Sequence, residues 1–234
     1  MATPKDTRRQ IVSFSFYRVD AAWRRLSLDE REEHRLEFAE TIRKWQVAET
    51  MKILTYSTMG LRADADFLLW RICYSLECLQ EMSADLLRTR LGAYLQVSRS
   101  YLGMTRRSQY EIGAENDHVA ELRAIRPGGF KYLFLYPLVR TRSWYVLPFE
   151  ERRRMVQELI KLSSDFPGTR LNVIYSFGLD DQDFVIAMET DNPEEFEERM
   201  MQSRELEISP YTERDIPKSS CLRTSLEEML DRIG

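Results

Sequence analysis

Y-R-V-D-A-A-W-R-R-L-S-L-D-E-R-E (residues 17–32) and V-R-T-R-S-W-Y-V-L-P-F-E-E-R-R (residues 139–153) are two versions of one text. After a similar gap each is followed by a second matching pair. These are T-Y-S-T-M-G-L-R-A-D-A-D-F-L-L-W (residues 55–70) and I-Y-S-F-G-L-D-D-Q-D-F-V-I-A-M (residues 174–188). Arg31 aligns with Arg152, Tyr56 with Tyr175, Gly60 with Gly178 and Phe67 with Phe184, at offsets between 117 and 121 residues. So steady an offset over half the chain means one structural unit used twice. Any difference between the copies then points to where function sits.

The first copy opens with an apolar run, Ile11 to Val19, which reads as a strand. Ser27 and Glu30 form a capping box that satisfies free backbone N–H groups at a helix start. The helix runs to about Trp45, with Phe38, Ala39, Ile42 and Trp45 on one stripe. Met51 to Thr58 and Asp66 to Tyr74 are β-rich runs around Gly60, a hairpin signal. A second helix follows, with Leu79, Met82, Leu86 and Leu87 on its apolar face, and Tyr94 to Met104 closes the unit as a strand.

The second copy repeats the order. Tyr132 to Val139 is a strand, and Pro148 opens a helix where a missing N–H costs nothing. Arg170 to Phe177 and Asp183 to Glu189 are strands, and Pro193 opens a helix through Met201. A last short strand is expected near Tyr211 to Ile216, and a terminal helix over 222–233. The expected units are therefore residues 1–106, a polar connector over 107–129, and residues 130–234. The joining segment Thr105 to Gly129 carries Pro127, Gly128 and Gly129 and reads as a flexible loop.

A β-α-β-β-α-β unit builds an antiparallel sheet with helices on one face, the ferredoxin-like arrangement. Its open sheet face is apolar and must be covered. Two tandem copies can cover each other, so the expected fold is α+β, a dimeric α+β barrel made within one chain. The space between sheet and helices can hold a ligand.

Composition narrows the function. A net charge of −4, with basic and acidic residues interleaved, argues against nonspecific nucleic-acid binding. Cys73, Cys78 and Cys221 are odd in number and follow no ligand spacing, which suits a reducing compartment. The start, M-A-T-P-K-D-T-R-R-Q, carries no apolar signal segment, and no run approaches the ~18 apolar residues of a membrane span. The expectation is a cytoplasmic protein with neither a nucleic-acid nor a membrane partner.

Three stretches resemble the chlorite dismutase superfamily, which includes chlorite dismutases and coprohaem decarboxylases. They are K-Y-L-F-L-Y-P-L-V-R-T-R-S-W-Y-V-L-P-F-E-E-R-R-R-M-V-Q-E (131–158), Y-S-F-G-L-D-D-Q-D-F-V (175–185) and S-Y-L-G-M-T-R-R-S-Q-Y (100–110). The resemblance covers nearly the whole chain. It implies tandem ferredoxin-like folds, a homo-oligomeric ring, usually a pentamer, and haem or coprohaem as cofactor.

Residue by residue, the resemblance implies the following. Tyr136, before Pro137, matches the catalytic tyrosine of coprohaem decarboxylases. Arg140 stands where a lysine usually contacts a haem propionate, and an arginine fork could hold a carboxylate as well. Trp144 and Tyr145 match the aromatic pair near the haem, and Tyr101 and Leu102 would lie near its other edge. The distal residue is expected on the strand R-L-N-V-I-Y, with Arg170 or Asn172 the candidate. The family's axial histidine follows the glutamate that ends E-E-R-R-x-M-x-x-E, and here Glu158 is followed by Leu159. Leucine has no lone pair to give iron. It shares a helical stripe with Met155, Val156, Ile160 and Leu162, and burying it there is worth roughly 2 kcal/mol. At an offset of 121 residues Leu159 corresponds to Phe38, so both copies are apolar at this point and Leu159 is expected to be core.

The other titratable residues call for less. His34 reads as a boundary residue of its helix and His118 as an exposed connector residue. The glutamates at 150, 151 and 194–198 lie near helix starts, where negative charge suits the dipole. No phosphate loop, nucleophile elbow or metal-ligand spacing is present. Three functions stay open. The favoured one is a chlorite dismutase-like ring protein without ordinary haem ligation that binds a porphyrin, another small ligand or a partner. The second is a haem-dependent oxidoreductase of coprohaem decarboxylase, peroxidase or chlorite dismutase type with altered axial coordination. The third is a structural ring subunit.

Overall fold

In the computed structural model, residues 9–47, 50–106, 108–110, 125 and 127–234 are described. The expected order is present. Copy one comprises β1 (Ile11–Val19), α1 (Leu28–Val47), β2 (Lys52–Ser57), β3 (Phe67–Cys73), α2 (Leu76–Arg88) and β4 (Leu95–Met104). Copy two comprises β5 (Tyr132–Arg140), a short α3 (Arg142–Val146), α4 (Phe149–Ser164), β6 (Thr169–Tyr175), β7 (Phe184–Thr190), α5 (Pro193–Glu205), β8 (Thr212–Arg214) and β9 (Ser219–Arg223), before a final α6 (Leu226–Arg232). Local chemistry accounts for the starts. The Ser27 N–H donates to Glu30 Oε2 at 2.9 Å while the Glu30 N–H donates to Ser27 Oγ at 3.3 Å, the reciprocal capping pair. Ser75 caps α2 and Asn192 caps α5, 117 residues apart.

The two sheets join edge to edge rather than stacking as separate layers. The strand order is β7-β6-β4-β1-β3-β2-β9-β5, and β5 pairs back to β7, closing an eight-stranded barrel. The seams are short: Met104 opposite Tyr175 on one side, Tyr56 and Ser57 opposite Arg223 and Leu222 on the other. Closure removes the exposed edges that would otherwise template aggregation. The apolar faces of both copies meet inside, with Phe14, Phe16, Tyr56 and Trp70 against Leu133, Leu135, Ile174 and Val185. Strands so covered read as continuous apolar runs, and in β1 every residue except Arg18 is buried.

The expected last strand near Tyr211 to Ile216 needs correction. Only Thr212–Arg214 is strand there, paired to Val139 and Arg140. The fourth sheet strand is Ser219–Arg223, which pairs with Tyr132 to Leu135. In copy one the single β4 does both jobs. Pro217, with no N–H to donate, lies between the two pieces. The expected connector and His118 fall largely outside the described residues.

Outside the barrel the copies differ. Over copy one, α1 and α2 close tightly on the sheet, with Trp23, Phe38, Ile42 and Met82 buried. The final helix joins this layer too, adding Leu226, Met229 and Leu230. Over copy two the corresponding cluster is small, centred on Trp144, Met155 and Ile208.

Candidate functional site

A cavity of about 810 Å³ lies between the sheet strands β5–β7 and the helices α4 and α5. That is within the ~300–1,000 Å³ range of ligand pockets. Its origin is visible residue by residue when the copies are aligned at the repeat offsets of 121 and 117 residues. Phe38, Ile42, Met82, Leu86 and Val19 fill the helix layer of copy one. Their counterparts in copy two are Leu159, Ser163, Arg199, Ser203 and Arg140, and all five line the cavity. Smaller or polar side chains at five core positions leave the helices propped over open space.

Arg140 ends β5 and is 9% exposed. Its Nη1 donates to the Ile208 carbonyl at 3.2 Å and to Thr212 Oγ1 at 2.9 Å, and its guanidinium lies 5.3 Å from the Trp144 ring. Burial holds its pKa below the ordinary arginine value. Trp144 is set by α3, whose cap Thr141 accepts the Trp144 N–H at 3.3 Å. Asp183 ties the corner together, accepting the Arg140 backbone N–H at 2.8 Å and the Tyr145 hydroxyl at 2.7 Å. Burial, then this hydrogen bond to a carboxylate, drive the Tyr145 phenol well above its ordinary pKa.

Tyr136 stands mid-strand in β5, buried, with its hydroxyl 3.7 Å from Met200 Sδ and the Lys218 ammonium 5.0 Å from its ring centre. Burial pushes the phenol up to about 12, against the pull of Arg199, Arg140 and Arg204. It is protonated at neutral pH.

Arg199 rises from α5 and is 3% exposed. Its two terminal nitrogens donate to Thr169 Oγ1 and Ser163 Oγ. Leu159 lies one turn from Ser163 on α4, and its carbonyl accepts the Ser163 hydroxyl at 2.9 Å. The expectation that Leu159 is core is corrected here, because its side chain is half-buried and forms cavity wall with Val156 and Ile160. With Arg199 in place of the copy-one methionine, the space beneath Leu159 is not filled by apolar packing.

Among the described lining residues are six arginines, at 106, 140, 152, 170, 199 and 204, and a single carboxylate, Asp215. Asp215 is already paired with Arg204 at 2.6 Å and Lys218 at 2.7 Å. The cavity therefore suits a largely apolar ligand bearing acidic groups. None of the described lining residues is a histidine, and no cluster of three His, Cys, Asp or Glu able to hold a metal occurs among the described residues.

Tyr136, Arg140, Trp144, Tyr145 and Leu159, all selected from sequence, come together around this cavity. Arg170 and Asn172 border it, but strand alternation puts them on the same side as Ile174, which is barrel core. The Asn172 amide accordingly donates to Ala187 O and Glu189 Oε2 inside the protein, and the Arg170 guanidinium lies 4.9 Å from the Phe130 ring. Leu171, Val173 and Tyr175 occupy the helix-covered face instead. Tyr101 and Leu102 stand apart from the cavity: β4 turns Tyr101 into the barrel core, while Leu102 packs toward the copy-one helices. His34 is also on the copy-one side, its ring 6.1 Å from Tyr94.

Reasoning from sequence passed over Arg199, Ser163 and Ser203. A signal for them existed, since each is polar where its repeat counterpart is apolar. Tyr110 and Arg152, hydrogen-bonded at 3.2 Å, carried no such signal.

The family model described as chlorite dismutase matches residues 31–224. The chain is 31% identical over 180 residues to the coproheme decarboxylase of Mycolicibacterium smegmatis, covering 76% of this chain and 75% of that protein. Among solved structures, a mutant chlorite dismutase from Candidatus Nitrospira defluvii matches with a TM-score of 0.87 at 21% identity, covering 97% and 95% of the two chains. A heme-binding protein from Thermus thermophilus matches with a TM-score of 0.86 at 22% identity, covering 99% and 100%. At those identities the structural likeness establishes the fold.

Proposed function

The chain belongs to the chlorite dismutase family, and from that premise we propose that its C-terminal cavity binds a flat, apolar, carboxylate-bearing ligand of the porphyrin class without imidazole ligation of iron. The observation that carries this reading is Leu159, half-buried on the wall of a cavity that has stayed open around it. An iron porphyrin fits in part. The apolar walls suit a macrocycle, and Arg140 offers a buried fork for a carboxylate. The iron does not fit, since α4 presents leucine where the family resemblance puts histidine, and the Tyr145 hydroxyl is committed to Asp183. Ligand binding is the activity that these residues support.

A second reading, a haem-dependent oxidoreductase with altered axial coordination, is favoured by one observation. Tyr136, at the position of the decarboxylase tyrosine, does face the cavity, beside Met200. Titration with haem, coprohaem and metal-free coproporphyrin separates the two. The first reading expects metal-free and iron coproporphyrin to bind alike, without the sharp Soret band of an imidazole-ligated iron. A one-to-one iron complex with a sharp Soret band and peroxide turnover, with the metal-free form excluded, would establish the second.

The same proposal makes the protein a homo-oligomeric ring, five-membered by family resemblance, working in the cytoplasm. Three free cysteines support a reducing compartment. None of the described helices is long and apolar enough to cross a membrane. Light scattering on a sizing column is expected to give five times the 27.8 kDa chain mass; a monomer would refute the ring.

A further inference from the structure

We propose that Arg199 is an anion-binding residue of the cavity, receiving an acidic group of the ligand at the end opposite Arg140. The inference rests on the reading of the cavity as the ligand site and specifies what the ligand must carry.

Arginine is almost never fully buried without a charge partner. Arg140 and Arg199 are both buried, both line one cavity, and neither has a carboxylate within 4.0 Å among the described residues. Among the described residues each guanidinium is hydrogen-bonded to neutral oxygens and to no carboxylate. Around Arg199 those oxygens are oriented for the task. The Ser163 hydroxyl gives its proton to Leu159 O at 2.9 Å and the Thr169 hydroxyl gives its own to Phe166 O at 2.9 Å. Their lone pairs are thereby turned toward the guanidinium, which uses two of its five N–H donors on them. Glu195 acts on Arg199 only through space, its Oε1 accepting the Gly168 N–H at 2.9 Å. A guanidinium held so, with donors to spare and its charge not neutralised, is a receptor for an anion.

The two arginines mark opposite ends. Thr169, beneath Arg199, pairs with Thr190, which also faces Tyr132 at the start of β5. Arg140 ends the same strand. Eight residues of strand separate those positions, about 26 Å of backbone, shortened by the inward reach of both side chains. Tyr136 lies midway and feels both charges. The ligand selected is therefore apolar at its centre and acidic at both ends.

The test uses Arg199→Met, which installs the residue copy one has at Met82, and Arg199→Lys. Each is titrated by fluorescence with metal-free coproporphyrin and with 8-anilinonaphthalene-1-sulfonate, and the unliganded proteins are melted. Arg199→Met is expected to weaken the binding of both anions at least about ten-fold, Arg199→Lys to recover part of that loss, and the unliganded Arg199→Met protein to melt at or above the wild-type temperature. Unchanged affinity with a lowered melting temperature would overturn the proposal, because the guanidinium would then only tie Thr169 to Ser163. A wild type that binds the sulfonate but not coproporphyrin sinks the porphyrin assignment alone, and the sulfonate titration still decides Arg199. A wild type that binds neither overturns both.

Discussion

Phe38 and Leu159 occupy the same turn of equivalent helices, 121 residues apart, yet one is sealed in core and the other faces a cavity. Phe38 is 0% exposed and meets Phe67 edge to face at 6.3 Å. Truncating them should separate the copies energetically. Phe38→Ala is expected to cost about 3–5 kcal/mol, since it opens a void in a packed layer. Leu159→Ala should cost about 1 kcal/mol or less, since it enlarges a space that already exists. Urea unfolding of the two variants measures the difference, and equal costs would mean that Leu159 is core after all.

Leu159→His returns the imidazole that the family pattern places here, and iron porphyrin ligation should follow as a sharp Soret shift. The double variant Leu159→His/Arg199→Met is expected to keep the sharp Soret shift but to bind haem more weakly than Leu159→His alone, because it lacks the guanidinium assigned to an acidic group of the ligand. If both stay colourless in the same titration, the cavity does not admit a porphyrin.

Arg140 holds the other end of the cavity through charge and a planar fork. Arg140→Met is expected to weaken coproporphyrin binding by about ten-fold or more, with Arg140→Lys recovering only part, because an ammonium cannot reproduce bidentate contact. Quenching of ligand fluorescence reads the effect.

Glu189 offers a pH test away from the cavity. It is fully buried in β7, accepting the Gly128 N–H at 2.6 Å and the Asn172 amide at 3.2 Å. Burial raises its carboxyl pKa above the ordinary value of 4.5. A raised folded-state pKa means that this group's stability contribution is complete below the ordinary value and is lost as pH rises through the folded one. Glu189→Gln cannot titrate, so its melting temperature relative to wild type should climb as pH goes from 4 to 7. A flat or falling difference would show that the nearby cations outweigh burial.

Much of the fold was legible because its determinants are local or periodic. The capping pair at Ser27 and Glu30, the proline at 193 and the turn at Gly60 each act within a few residues. The repeat then allowed each copy to support the other. Where the copies diverge, that support failed. The strand expected near Tyr211 to Ile216 breaks after Arg214 and resumes at Ser219. Its copy-one counterpart β4 is continuous and gave no warning. In the site, Tyr136, Arg140, Trp144 and Tyr145 were legible through family motifs. Asn172, expected from the resemblance as a distal candidate, turns its amide toward buried Glu189, a partner 17 residues away.

The sequence by itself determined that one unit is used twice, which elements make it, and that leucine occupies position 159. It could not determine what surrounds that leucine. Whether a helix closes on a sheet depends on the summed volume of side chains arriving from several elements. Only the tertiary structure brings Ser163 of α4, Arg199 of α5 and Thr169 of β6 to one point. It also sends the final helix to copy one, adding to a layer that was already closed, while copy two keeps its cavity. These are sums over distant residues, and no local pattern carries them.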